Sequence, residues 1–190
     1  VLSACVDDPS VEIVTSDPDV PMILIHGTGE SGADIYARWG MTDAVAPDNV
    51  SSIAGMIEPG ERVILLGQGS GASIAYDLAC ARPDLVSAVV MLSGQASDAE
   101  CVNGSAVSVL TVHGTVDDVI PYSSATETFE KAKQIAQCSS VAFVDSPDIG
   151  ASVEALSCLE RTDGRARSAT HWRVIGWDHN PDLGETWAPA

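Results

Sequence analysis

Three stretches of the sequence hold residue types that can act together on an acyl group. Gly67-Gln68-Gly69-Ser70-Gly71 has glycines two places either side of its centre, the spacing that lets a backbone turn sharply out of a strand and present the central residue at the tip. A serine there would be an acyl-transfer nucleophile, but the central position is Gly69. Asp117 stands in the turn His113-Gly114-Thr115-Val116-Asp117-Asp118, and His179 ends the segment Gly176-Trp177-Asp178-His179. An imidazole can take a proton from a nucleophile and return it to a leaving alcohol, while a buried carboxylate fixes its tautomer and stabilises its cation. Taken singly, Asp117 reads as a turn former and His179 as a loop histidine. Lying in order and each just past a strand end, they read as the acid and base of a triad whose nucleophile position is glycine. Ser70 as nucleophile would have Gln68 and Ala72 at the flanking places, and the glutamine would crowd the turn. Ser70 therefore reads as a helix-start residue whose amide faces the site.

The elements that must position these groups follow from periodicity. Val11-Glu12-Ile13-Val14 alternates as an edge strand does, and Val20 to Ile25 is a continuous apolar run of the kind covered on both faces. Arg62 to Leu66 is a second buried strand, and it passes through the glycine corner into a helical run, Ala72 to Cys80. Val86 to Leu92 and Ala106 to Val112 are β-branched runs bounded by turn residues, and His171 to Ile175 is the last strand. Ser123-Ser124-Ala125-Thr126-Glu127 supplies a cap and an acidic first turn for a helix reaching about Gln137. Ser146 to Ser168 reads as an irregular loop. Strands alternating with helices predict an α/β fold, a mostly parallel central sheet with helices on both faces, whose ligands sit at the carboxyl ends of the strands. Residues 1–10 read as a tail and 11–190 as one domain, in keeping with a length of 190 residues.

Composition narrows the partners. Acidic residues outnumber basic ones 27 to 9, for a net charge of -18, a field that repels phosphate backbones and anionic membranes. Nucleic acid is excluded on that ground. The same carboxylates serve solubility, or adaptation to high salt, where screening removes their self-repulsion. No apolar run approaches the roughly 18 residues of a transmembrane helix. Five cysteines, none in CxxC spacing, are many for a reducing cytosol. Four of them read as two disulfides, which places the protein outside the cytoplasm, secreted or lipid-anchored at the cell surface. The odd one is Cys5, since Leu2-Ser3-Ala4-Cys5 resembles the lipobox at which bacterial lipoproteins are cleaved and acylated. No His/Cys/Asp/Glu grouping has ligand spacing, so no metal and no cofactor is expected.

The run Arg62 to Tyr76 resembles the nucleophile elbow of the polyhydroxybutyrate-depolymerase-like esterases, a family that includes feruloyl and acetylxylan esterases. The resemblance continues through Ala79 to Asp84, His113 to Tyr122 and Gly176 to His179, and covers nearly all of the chain after Val20. It implies an α/β-hydrolase fold and a serine esterase acting on a small or polymeric ester. It also implies that Asp117, rather than Asp118, is the triad acid, that His179 is the base, and that elbow, acid and base come in the order this fold uses. His26-Gly27-Thr28-Gly29 resembles the oxyanion-hole loop, in which the backbone N–H of Thr28 pairs with that of Ser70. His26 and His113 are then structural. The family pairs Cys80 with Cys101 and Cys138 with Cys158. Two departures stand out. Gly40 to Pro59 is only about one helix and a connector, which shortens the chain between first helix and elbow and opens the site, and Trp177 and Asp178 replace small residues before the histidine. The rival expectation is a non-catalytic ligand-binding protein built on the same fold.

Overall fold

The computed structural model describes residues 13–17, 20–31, 34, 53–99, 101, 107–136, 138, 141–144, 153–158 and 168–180. The expected tail at 1–10, Cys5 and most of the shortened segment after Gly40 lie outside them. An eight-stranded sheet organises the rest. Five strands run parallel at its centre: β2 (Val20–Ile25), β3 (Val63–Gln68), β4 (Val86–Leu92), β5 (Ser108–Gly114) and β8 (Ala169–Val174). β1 (Ile13–Asp17) adds antiparallel to β2 at one edge. β7 (Val153–Cys158) and then β6 (Val141–Val144) extend the other edge, antiparallel beyond β8.

The continuous apolar runs form strands buried on both faces. Ile23, Ile25, Leu65, Val89, Met91 and Val109 point one way, into a core shared with two helices, α1 (Ser70–Ala81) and α2 (Tyr122–Ile135). α1 contributes Ala72, Ala75, Leu78 and Ala79, and α2 contributes Phe129, Ala132 and Ile135. The alternate residues Leu24, Leu66, Leu92, Val112 and Val174 cluster on the opposite face. A helix for that opposite face is not among the described residues.

Two expectations need correction. The stretch from Ser146 to Ser168 is not loop throughout, because Val153–Cys158 pairs residue by residue with β8, Val153 against Val174 and Ser157 against Thr170. The mixed sequence of that run carries no clean alternation; the open backbone edge of β8 recruits it, since buried N–H and C=O groups must be paired. The second helix begins at Tyr122 with Pro121 as its cap residue, and it has neither a side-chain cap bond nor an acidic first turn. Pro121 limits the chain to a backbone angle suited to helix entry, so the serines lie inside the first turn instead of ahead of it.

Cys80 in α1 and Cys101 form a disulfide that closes a separation of 21 residues. In the chain-entropy account a loop of that size gains about 3 kcal/mol. Cys138 is disulfide-bonded as well. Cys158 lies at the end of β7, and its side chain, with the expected pairing to Cys138, falls outside what is described.

The two glycines flanking the corner earn their place by contact distance. A Cβ on Gly71 would overlap the carbonyl oxygen of Ile25 and lie 2.7 Å from that of His26, and one on Gly67 would overlap the Gly71 carbonyl. The start of α1 thus presses directly on the end of β2, which brings the loop after β2 beside the corner. Gly71→Ala should therefore force backbone apart and destabilise the fold by about 2 kcal/mol or more in urea unfolding, whereas Ser73→Ala, which at a half-buried place on the same helix loses only a hydroxyl bond to Gln95 O, should change it by no more than about 1 kcal/mol. Equal effects of the two would show that the helix does not seat on β2 in this way.

Candidate active site

β3 ends at Gln68 and α1 starts at Ser70, leaving Gly69 alone to make the turn, with φ 54° and ψ -119°. Glycine adopts such angles freely, while a side chain at positive φ costs on the order of 1–3 kcal/mol. The turn is anchored by the Gly69 N–H donating to Leu92 O at 2.9 Å and by the Ala72 N–H donating to Gly69 O at 3.2 Å. These bonds fix the turn in place.

The turn after β5 buries Asp117, whose side chain is 0% exposed, and leaves Asp118 at the surface. Its Oδ1 accepts the backbone N–H groups of Val119 at 2.9 Å and Ile120 at 2.8 Å. His179 Nδ1 lies 3.1 Å from Oδ1 and 3.0 Å from Oδ2. A carboxylate can only accept, so Nδ1 carries the hydrogen and Nε2 is left as the ring's acceptor. That Nε2 faces the corner: a Cβ built on Gly69 would stand 3.5 Å from it, with Gly27 Cα at 3.8 Å and His179 Cε1 at 3.9 Å the next neighbours. The elbow glycine, the carboxylate and the imidazole thus gather at the carboxyl ends of β3, β5 and β8.

Three ties hold the base loop there. The Val116 N–H donates to Trp177 O at 3.0 Å and the Gly176 N–H to Thr115 Oγ1 at 2.9 Å, stitching the acid turn to the loop after β8. Gln68 Nε2 donates to Asn180 Oδ1 at 3.0 Å across 112 residues of sequence. Gln68, 1% exposed, therefore links the residue before the elbow to the residue after the base. Nothing in the local sequence marks this pair; its signal is a polar residue at the end of an otherwise apolar strand, next to the glycine corner.

Thr28 and Ser70 meet through the Ser70 side chain. The Thr28 N–H donates to Ser70 Oγ at 2.8 Å, and the two hydroxyls share a hydrogen bond of 2.8 Å. The Thr28 amide is thus satisfied by the Ser70 hydroxyl in this state. The pair has two hydroxyl protons and places only one between its oxygens, which leaves the other for a further acceptor. His26 turns its Nδ1 to Gly27 O at 2.8 Å, a local bond within the loop.

Behind the acid lies a network that sequence reading did not assemble. His113 Nε2 donates to Ile120 O at 2.9 Å and lies 3.1 Å from Asp117 Oδ2. Desolvation by burial lowers its pKa. His171, 2% exposed, sits between Thr111 Oγ1 at 2.7 Å and the Tyr122 hydroxyl at 2.8 Å, with the Phe129 ring 5.4 Å away. Burial first, then the nearby His113 and Arg173, push its pKa down to about 4. Alternation along β5 and β8 could have flagged both histidines as inward-facing polar residues. Among the described residues no cluster of His, Cys, Asp and Glu could hold a metal ion, and no helix is long and apolar enough to cross a membrane.

A parallel sheet with the sharp strand-to-helix corner after one inner strand and the acid–base pair past two others is the α/β-hydrolase arrangement. Residues 48–155 match the phospholipase/carboxylesterase family, and the chain belongs to it. Solved structures share the fold. An acetyl xylan esterase from Aspergillus awamori superposes with a TM-score of 0.61 at 14% identity, over 89% of this chain and 86% of the other. Est1E from Butyrivibrio proteoclasticus gives 0.52 at 14% over 90% and 85%, and the Bacillus cereus carboxylesterase 0.51 at 12% over 87% and 82%. No curated protein matches the sequence.

The buried imidazoles make stability depend on acidity with a definite sign. The folded protein keeps His171 neutral down to about pH 4, while an unfolded chain takes up the proton near the ordinary 6.5. Stability is therefore lost as pH falls through the window from about 6.5 to 4, by up to about 3 kcal/mol for His171, and His113 acts in the same direction. Urea unfolding at stepped pH should show this slope, and His171→Gln should flatten it. An unchanged slope in the variant would place the proton uptake elsewhere.

Proposed function

We propose that the site is that of a carboxylic ester hydrolase of the serine-esterase type, with Asp117 and His179 as its acid and base and residue 69 as its nucleophile position. The observation that carries this reading is the 3.5 Å between Nε2 and a Cβ on Gly69: a serine there would put its Oγ within hydrogen-bonding reach of the one nitrogen free to accept its proton. With the Thr28 amide taken by the Ser70 hydroxyl, the oxyanion donors of this reading are the second hydroxyl proton of that pair and the first-turn amides of Ser70 and Gly71. With glycine at 69 the acyl-transfer arm is missing, and the chain as it stands is strongly impaired in that reaction. The resemblance to the polyhydroxybutyrate-depolymerase-like, feruloyl and acetylxylan esterases supports an ester of a short or aromatic acyl group, small or polymeric. The disulfide between Cys80 and Cys101 supports an oxidising, extracytoplasmic setting.

Gly69→Ser should bring a burst of p-nitrophenol from short p-nitrophenyl esters and labelling by a serine-directed fluorophosphonate, with kcat/KM rising by about 10³-fold or more. Adding Asp117→Asn to that variant should remove most of the gain, by about 10⁴-fold at the limit, because the ring loses the partner that fixes its tautomer. The same serine should also cost about 1–3 kcal/mol of stability, since it forces a side chain onto the positive-φ turn. A folded Gly69→Ser protein that neither turns over ester nor takes the label would sink the reading. A ligand-binding protein on the same fold, favoured by the glycine itself, predicts that outcome together with tight binding of an ester or its acid.

A further inference from the structure

We infer that this chain, with glycine at its elbow, is itself an esterase that attacks the carbonyl directly with water activated by His179, without forming an acyl-enzyme. The inference rests on the ester-hydrolase reading of the site and changes its chemistry.

Three observations carry it. The first is position: Nε2 faces the bare tip of the corner, where a Cβ on Gly69 would make ordinary contact with it at 3.5 Å and with Gly27 Cα at 3.8 Å, and no side chain stands between the ring and a ligand there. A water oxygen beside the tip, clear of the Gly69 backbone, would donate to Nε2 at about 2.8 Å, an ordinary O–H···N distance. The second is the state of the base. Asp117 holds the hydrogen on Nδ1 at 3.0 Å and is itself held by two amides, so Nε2 is presented as an acceptor before any substrate arrives. A glycine corner has dispensed with the nucleophile, yet the apparatus that would activate it remains assembled. The third is the second hydroxyl proton of the Thr28–Ser70 pair, which together with the first-turn amides of Ser70 and Gly71 gives a carbonyl oxygen at the corner donors to meet.

The step balances as follows. The water oxygen bonds to the ester carbonyl carbon while one of its protons passes to Nε2, and the carbonyl oxygen becomes an oxyanion facing Thr28 and Ser70. The intermediate collapses with cleavage of the bond to the alkoxy oxygen, which takes the proton back from Nε2. Ester and water give acid and alcohol, and the imidazole returns to its starting state. A general base positioned in this way is worth about 10²–10⁴-fold.

The test follows p-nitrophenyl acetate hydrolysis by four proteins whose folding is checked by circular dichroism: the chain itself, His179→Gln, Asp117→Asn and Gly69→Ser. The chain itself should turn over linearly with no burst, resist the fluorophosphonate, slow in heavy water, and exceed His179→Gln by about 10²-fold. Asp117→Asn should fall toward the level of His179→Gln. If the chain is no faster than His179→Gln while Gly69→Ser shows its burst and label, direct water attack is overturned and the esterase reading stands. An acyl group found on His179 by mass spectrometry would also overturn it, because the ring would then be nucleophile instead of base. If Gly69→Ser is folded and inactive as well, the esterase reading and this inference fall together.

Discussion

A carboxylate taken out of water must be met by donors, and Asp117 is met from four directions. The amides of Val119 and Ile120, the His113 ring and the His179 ring all converge on a side chain with no exposed surface. Removing a charge from water without such partners costs several kcal/mol, so the donors and the acid must be placed together or not at all. That requirement reaches far along the chain. The two amides bend the turn after β5, His113 closes it from below, and the loop after β8 has to come over the top to deliver His179. The two backbone and side-chain bonds between those loops, from Val116 to Trp177 and from Gly176 to Thr115, stitch this convergence from the outside.

The corner at Gly69 is a second fixed point, of a different kind. A positive-φ turn wedged between β3 and α1 is a conformation that glycine holds without strain and a serine would hold only against it. Here the surrounding packing keeps the shape regardless: α1 presses on the carbonyls of Ile25 and His26, and Leu92 anchors the Gly69 amide. The elbow geometry is therefore a property of the sheet and helix and does not depend on a side chain at the tip. In this member of the phospholipase/carboxylesterase family the Asp117–His179 pair and the loop after β2 thus stay grouped around a glycine corner.

The histidines divide along the same lines. His179, 18% exposed, stands at the mouth of the sheet, while His171 and His113 are sealed beneath α2 with Tyr122 and Phe129 around them. The two buried rings pack and hydrogen-bond as neutral groups, and their place in the core ties stability to acidity.

Much of this was legible in the residues themselves. The continuous apolar run at 20–25 and the β-branched runs at 86–92 and 106–112 read as inner strands, and a strand, glycine corner and helical run in succession specify the elbow through local sterics. The order of Asp117 and His179 after the glycine corner was readable for the same reason. Tertiary structure alone decided the rest. Val153–Cys158 is a strand because the edge of β8 pairs it, not because its own sequence alternates. Gln68 and Asn180 meet across 112 residues, Thr111 and His171 across 60, and the Ser70 hydroxyl takes the Thr28 amide across 42. Periodicity is set by a residue's near neighbours and can be read one stretch at a time, whereas such contacts depend on sheet register and on which loops are long enough to meet, and only the folded chain fixes both.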